Sequence, residues 1–271
     1  MPLIEYRLSG TYNRVQVAID RLRNFEPKEG YWLAFSGGKD SVTVLRLAQM
    51  AGVKFDAHYN VTTVDPSELV RFIKEQHPDV ERNRPEMSMF RLICLPRHFM
   101  PPLRQMRWCC EALKEHGGEG RFTLTGIRWA ESSNRQNRQM VEMCVPLRKR
   151  MLHPIIDWSD ADVWEFIRQE GVPYCSLYDE GFDRLGCILC PMEGNPNRIQ
   201  AQMDRWPQFV KAYIHTFDRL VEMRKDAGLK CTWENGREMF DWWIDRTKRA
   251  KVSDEQMTFE SLDEPPPGWT G

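Results

Sequence analysis

The residues best suited to chemistry stand six in a row, Ser36-Gly37-Gly38-Lys39-Asp40-Ser41, between the apolar run Tyr31-Trp32-Leu33-Ala34-Phe35 and the helical pattern from Val42 to Ala48. Two adjacent glycines let the backbone turn tightly and come close to a ligand. The N–H groups that open the following helix, with the positive end of its dipole, favour an oxyanion there. Lys39 adds a full charge, and Ser36 and Ser41 add hydroxyl donors, so the loop predicts a phosphate-bearing ligand, with Lys39 and Asp40 as candidate catalytic residues. The bland alternative is a Gly-Gly turn with a solvated lysine. The spacing fits neither the Walker-type loop nor the G-x-G-x-x-G dinucleotide fingerprint.

A second polar segment, Gly126-Ile127-Arg128-Trp129-Ala130-Glu131-Ser132-Ser133-Asn134-Arg135, follows another strand-like run, Arg121 to Thr125. Gly126 permits close backbone approach. Arg128 and Arg135 suit bidentate clamping of phosphate or sulfate oxygens, with Glu131 orienting one guanidinium. An exposed loop of self-compensating charges is the competing reading.

The third set is sulfur. Of eight cysteines, Cys109 and Cys110 are adjacent, and Cys187 and Cys190 form a C-x-x-C. Four thiolates suit an iron–sulfur cluster or a zinc ion. Cys94, Cys144, Cys175 and Cys231 lack such spacing and read as packing residues, with Cys231 the one reserved for a chemical role.

These groups need a frame. Val15, Ala18, Ile19 and Leu22 recur at helical spacing between Tyr12 and Phe25; Val53 to Val61 reads as a strand; Asp65-Pro66-Ser67-Glu68 reads as a helix start capped by Asp65. Met151 to Ile156 suggests another strand, and Ser159 caps a helix over 160–170 that stops at Gly171. Residues 78–107 carry five prolines and the arginines 82, 84, 91, 97, 104 and 107 around Phe90, Phe99 and Trp108, an irregular basic insert suited to a nucleic acid or to plain solvated surface. Pro196 to Ala227 is a largely helical stretch with an apolar stripe. The expected fold class is α/β, an open, mainly parallel twisted sheet with helices on both faces, which places ligand loops at strand carboxyl ends.

Bulk composition excludes little. The formal charge of −1 and a pI near 6.6 give no global attraction to nucleic acid. No stretch has the apolar length of a membrane span, and the first residues lack a secretory pattern, so a cytoplasmic location is expected. In a reducing compartment the cysteines point to metal or redox chemistry rather than disulfides.

Taken in order, the motifs resemble the phosphoadenosine phosphosulfate (PAPS) reductase family. The hexapeptide resembles the PP-loop of ATP pyrophosphatases and adenylyl-sulfate reductases; Gly126 to Arg135 resembles that family's G-x-R-x-x-E-S-x-x-R segment. His153-Pro154-Ile155-Ile156-Asp157-Trp158, continuing through Tyr174 and Tyr178 to Gly186-Cys187, resembles the segment after its sheet. The resemblance covers roughly residues 30 to 192. It implies an adenine nucleotide alpha hydrolase-like fold in residues 1–192, a helical C-terminal extension over 193–250 and a flexible tail over 251–271. It further implies ATP, adenylyl sulfate or PAPS as substrate, with Mg²⁺, bound by Ser36, Gly37, Gly38, Lys39, Asp40, Ser41, Gly126, Arg128 and Glu131, with Arg128 and Arg135 steadying nucleotide or acceptor. The cysteine pattern is similar to that of cluster-bearing adenylyl-sulfate reductases and DNA phosphorothioation enzymes, which implies a [4Fe–4S] cluster on Cys109, Cys110, Cys187 and Cys190.

The reductases attack with a cysteine in a Glu-Cys-Gly-Leu-His-like tail, and the last forty residues here contain no cysteine. The reading that accounts for loop, cysteines and tail together is ATP-pyrophosphatase-type adenylation coupled to cluster-dependent sulfur transfer to a nucleic acid or related acceptor, with a sulfur-donor protein as partner. The alternatives are reduction of the sulfonucleotide to sulfite through Cys231 or thioredoxin, and a non-catalytic nucleotide-binding regulator.

Overall fold

The computed structural model describes residues 3–7, 10–144 and 149–245. Its elements run β1 (Ile4–Arg7), β2 (Gly10–Asn13), α1 (Arg14–Asn24), β3 (Tyr31–Ala34), α2 (Lys39–Ala51), β4 (Phe55–Asn60), α3 (Ser67–Gln76), β5 (Glu81–Asn83), α4 (Met89–Ile93) and α5 (Trp108–Leu113). They continue with β6 (Phe122–Leu124), α6 (Ser133–Gln136), β7 (Val141–Cys144), β8 (Lys149–Leu152), α7 (Asp160–Gln169), α8 (Pro196–Arg205), α9 (Pro207–Asp226) and α10 (Gly236–Ile244). The chain forms two compact units, the first from residues 1–85 and 110–187, the second from 86–109 and 188 onward. The insert, expected inside a 1–192 domain, thus groups largely with the C-terminal helices. The tail expected over 251–271 lies outside the described residues.

The first unit holds a six-stranded sheet in the order β5-β4-β3-β6-β8-β7, parallel throughout except for the antiparallel pair β7–β8. This is the mainly parallel α/β sheet that the sequence predicts. Its strands are short, and Leu33 and Leu124, paired in register at the centre, have no exposed surface. From β3 the chain runs to β4 on one side, and β6 lies on the other, so the order reverses between β3 and β6. Ligand crevices form beyond strand carboxyl ends at such a reversal.

The helices begin where local chemistry dictates. Asn13 caps α1 by accepting from the Val15 and Gln16 amides, and Ser159 caps α7 in a reciprocal box with Asp162. Gly52 and Gly171 take left-handed φ of 68° and 58° after α2 and α7. Asp65 does not cap α3: its carboxylate accepts from the Tyr59 hydroxyl at 2.5 Å and the Thr62 amide at 3.0 Å, and the helix starts without a side-chain cap. The strands expected over 53–61 and 151–156 shorten to β4 and β8. The β1–β2 hairpin and edge strand β7 have no counterpart in the sequence reading.

Asp157 ties the N-terminal helix to the segment after the sheet. Its carboxylate takes Arg21 Nη1 at 2.6 Å and the Tyr12 hydroxyl at 3.1 Å. Burial alone would raise its pKa, but the Arg21 hydrogen bond and charge, with Tyr12, bring it below the usual aspartate value. A lowered carboxyl contributes stability above its unfolded value, near pH 4, that is lost as pH falls through the folded value. Asp157→Asn is therefore expected to destabilise at pH 7, with the gap to wild type closing as pH falls through the folded value, read from urea midpoints across an acid series.

In the second unit, α4, α8 and α10 pack on α9. Tyr213, Phe217, Phe240 and Trp243 are fully buried there, with Tyr213 and Trp243 rings 4.9 Å apart. The long helical stretch expected from Pro196 breaks into two because Pro207 lacks an N–H and ends α8 at Arg205. Two of the three aromatics named with the insert engage other rings: Phe90 meets Tyr213 at 5.1 Å, and Trp108 stacks on His98 at 4.0 Å. Among the described residues no helix is long and apolar enough to cross a membrane.

Candidate nucleotide-binding site

The Gly-Gly loop joins the carboxyl end of β3 to the first turn of α2. Gly37 has φ +71°, and a Cβ on it would lie 2.8 Å from side-chain carbons of Ile73 and Leu69 on α3, so only glycine fits without displacement. Gly38 is the residue before α2 and carries no side-chain cap. The Ser41 hydroxyl closes the loop from within, accepting from the Ser36 amide at 3.2 Å and donating to the Gly38 carbonyl at 2.9 Å. It thereby shapes the cradle from within the loop. Among the described residues the Gly37 and Asp40 amides have no acceptor, the arrangement an oxyanion would complete.

Lys39 is buried, not solvated. Its Nζ donates to the Asp183 carbonyl at 3.3 Å and stands 3.7 and 3.8 Å from the carboxylates of Asp160 and Asp40. Its own amide donates to the Tyr178 hydroxyl at 2.8 Å. Tyr178 and Asp183 thus sit over the start of α2, although the sequence alone marked neither as a site residue; Tyr178 lay within the third resembling segment, and that was the only signal.

Arg128 departs most from expectation. With 1% of its side chain exposed, it donates from Nε to Asp40 at 2.7 Å, from Nη2 to Asp160 at 2.5 Å and from Nη1 to the Trp158 carbonyl at 3.2 Å. It thereby fixes the first turn of α2 against the turn before α7, with its donors engaged by these three acceptors. Burial would lower its pKa, but the two aspartates hold it above the ordinary value. For Asp40 the balance goes the other way: burial raises its carboxyl above the usual range despite Lys39 and Arg128. The guanidinium that Glu131 orients is that of Arg135, with which its Oε1 pairs, and the same oxygen accepts the Arg128 amide at 2.9 Å. Arg135 is the more exposed of the two arginines, with a third of its side chain in solvent.

Gly126 lets β6 approach α2. A Cβ there would meet the Asp40 Cβ at 2.8 Å and its carbonyl at 3.0 Å. Gly126→Ala is expected to push the first turn of α2 outward, costing about 1–3 kcal/mol of stability and about tenfold in nucleotide affinity, measured by thermal melts and calorimetry on one preparation. Two surface clefts of the first unit, one lined by Val42, Arg46, His77 and Glu170 and one by Glu68, Arg71 and Tyr174, lie elsewhere.

The sequence model of the phosphoadenosine phosphosulfate reductase domain matches residues 30–193, more than half of the chain, and spans every element of this site. The chain belongs to that family. Three relatives show its breadth. An uncharacterized protein of Methanocaldococcus jannaschii is 30% identical over 69% of this chain and 42% of its own length. Adenosine 5'-phosphosulfate reductase 2 of Bacillus subtilis is 27% identical over 51% of this chain and 61% of its own. A probable FAD synthase of Caenorhabditis elegans is 27% identical over 64% and 32%. The chain spans about half the length of the first of these curated relatives, 42% of one and 49% of a second from the same archaeon.

The PAPS reductase domain match ends just past the C-x-x-C. Cys109 is buried and Cys110, Cys187 and Cys190 are half-buried, and the chain crosses between its two units at 109/110 and at 187/188. Among the described residues no group of three or more His, Cys, Asp or Glu side chains is placed to hold a metal ion. Cys231, in the second unit, donates its thiol to the Trp233 carbonyl at 3.4 Å.

Proposed function

We propose that this family member binds ATP at the Ser36–Ser41 loop and transfers the adenylyl group to an acceptor, with pyrophosphate leaving, as the first step of sulfur transfer to a nucleic acid or related acceptor. The observation that carries it is the pair of amides, Gly37 and Asp40, that have no acceptor among the described residues, on either side of a buried Lys39 at the sheet's order reversal. Amides and ammonium held in place before the reaction stabilise charge as it develops on the departing pyrophosphate, without reorganising. Lys39 supplies the charge, the loop amides supply direction, and Arg128 keeps both in register through Asp40. Arg135, its guanidinium partly in solvent, is the group available to steady nucleotide or acceptor. Mg²⁺ would offset charge on the phosphate oxygens when bound.

The thiols of Cys109, Cys110, Cys187 and Cys190 are the soft donor set that a [4Fe–4S] cluster takes, and donor chemistry is the support for assigning them to it. The adenylyl step requires none of these thiols. A second reading, reduction of a sulfonucleotide to sulfite, is favoured by the Bacillus subtilis relative and would use Cys231 or an external thiol such as thioredoxin.

Anaerobically prepared protein given ATP labelled at the α-phosphate, or adenylyl sulfate, separates the two. Release of adenylate and pyrophosphate is expected. Sulfite formation that Cys231→Ser abolishes would replace the proposal with the reductase reading. Iron content and a visible spectrum test the cluster separately: colourless, iron-free protein prepared without oxygen removes it.

A further inference from the structure

His153 has no exposed surface, and nothing in the adenylyl step described so far uses it. It directly follows β8. Its Nδ1 is 2.6 Å from the Thr125 hydroxyl, and its Nε2 is 3.1 Å from Glu142 on β7. Glu142 is itself held by Arg138 at 2.7 Å. Backbone bonds fix both ends: the Thr125 amide donates to the Leu152 carbonyl at 3.1 Å and the His153 amide to the Met140 carbonyl at 2.8 Å. A carboxylate at Nε2 selects the tautomer with the proton there, which leaves Nδ1 to accept the hydroxyl proton of Thr125. The Thr125 oxygen is thereby turned into a proton acceptor toward its other side.

That other side matters because of where Thr125 stands. It is only half-buried and immediately precedes Gly126, where a Cβ would meet Asp40 at the start of α2. A hydroxyl, imidazole and carboxylate in series therefore reach the strand ends beside the phosphate cradle.

We propose that Thr125, His153 and Glu142 are a proton relay for the group that attacks the α-phosphorus, and that the acceptor is consequently one that must lose a proton as it attacks, a hydroxyl or an amide, rather than a phosphate or sulfate. The proposal rests on the adenylyl-transfer reading. The acceptor's lone pair forms the new bond to phosphorus, and the bond to the bridging oxygen breaks with its electron pair leaving on pyrophosphate. The acceptor's proton passes to Thr125 Oγ1 as that oxygen's own proton passes to His153 Nδ1. The resulting imidazolium faces Glu142 and returns its proton to solvent after the product leaves. Acceptors already anionic at neutral pH need no such device.

The charged groups acting on the imidazole are Glu142, Arg138 and Arg135. Burial lowers the pKa of His153, Glu142 opposes this, and the two arginines reinforce it. The neutral, proton-accepting form therefore extends below the ordinary histidine range, and activity should fall as pH drops through the folded value.

Water serves as the acceptor probe, since it too loses a proton: the assay follows AMP and pyrophosphate formed from ATP. Thr125→Val and His153→Asn are expected to bind a non-hydrolysable ATP analogue within about threefold of wild type while kcat falls about 10²- to 10⁴-fold. Thr125→Ser, which keeps the hydroxyl, is expected to retain activity, and His153→Asn to lose the acid limb of the pH profile. Wild-type turnover that survives Thr125→Val overturns the relay alone, as does a variant changed in KM but not kcat. A wild type that releases no pyrophosphate overturns the adenylyl-transfer reading and the relay with it.

Discussion

Arg128→Ala is expected to destabilise the protein by about 3–5 kcal/mol, because it removes a fully buried guanidinium and leaves the half-buried Asp40 carboxylate without its main partner. Asp40 would retain only Lys39, 3.8 Å away, in surroundings that already raise its pKa. Asp160 is two-thirds exposed and regains water, so the loss is carried by Asp40. The pH dependence has a definite sign. In the variant the folded pKa of Asp40 rises further above its unfolded value near 4, so the folded state binds the extra proton and the deficit shrinks in acid. Urea midpoints at pH 7 and pH 4 should show a large gap that narrows, with a fall in Tm of about 10 °C at pH 7. An equal gap at both values would mean that packing, not the ion network, is what Arg128 supplies. Arg128→Lys should recover only part of the loss, since one ammonium cannot serve two carboxylates and a carbonyl in three directions.

Arg128 also shows why the site was only partly legible. Its partners Asp40 and Asp160 lie 88 and 32 positions away, whereas the local pattern offers Glu131 three residues on. Reading charges along the chain finds the local pair, in which Glu131 orients the Arg135 guanidinium and takes the Arg128 amide, but not the distant carboxylates that hold the Arg128 guanidinium. Features that depend on neighbours in sequence were readable: the Gly-Gly turn between β3 and α2, the Ser159 capping box, the left-handed stop at Gly171. Each rests on a few consecutive residues and one backbone requirement. Asp65 is the instructive exception, a capping residue by position whose carboxylate is claimed by Tyr59 and Thr62.

The same division explains the elements that were missed. Strand β7, Val141–Cys144, is four residues long and has no buried residue, so it lacks the core-facing alternation by which a strand is read from sequence. It exists because β8 offers an unpaired edge and because His153 and Arg138 both need Glu142. Tyr178 is similar: the sequence marks it only as part of the third resembling segment, and its hydroxyl becomes informative when the Lys39 amide is found 2.8 Å from it. Side chains that recruit backbone groups across the fold leave no periodic trace.

Lys39→Met should separate binding from folding. Methionine keeps most of the volume and lacks the charge, and Asp40 and Asp160 retain Arg128, so stability is expected to change by no more than about 1.5 kcal/mol. Phosphate recognition, by contrast, loses a charged hydrogen bond of about 1.5–3 kcal/mol, which is about ten- to a hundredfold in Kd. The lysine now spends its ammonium on the Asp183 carbonyl and two carboxylates at 3.7 and 3.8 Å, so a nucleotide must compete for it. The wild-type Kd should therefore weaken with rising salt, and the slope against the logarithm of salt concentration should be shallower in Lys39→Met. Calorimetry with a non-hydrolysable ATP analogue at two salt concentrations measures both. An unchanged Kd would place the phosphates away from α2 and remove the Gly-Gly loop from the reaction; a lost Kd with an intact melt would tie nucleotide capture to one ammonium group on the first turn of that helix.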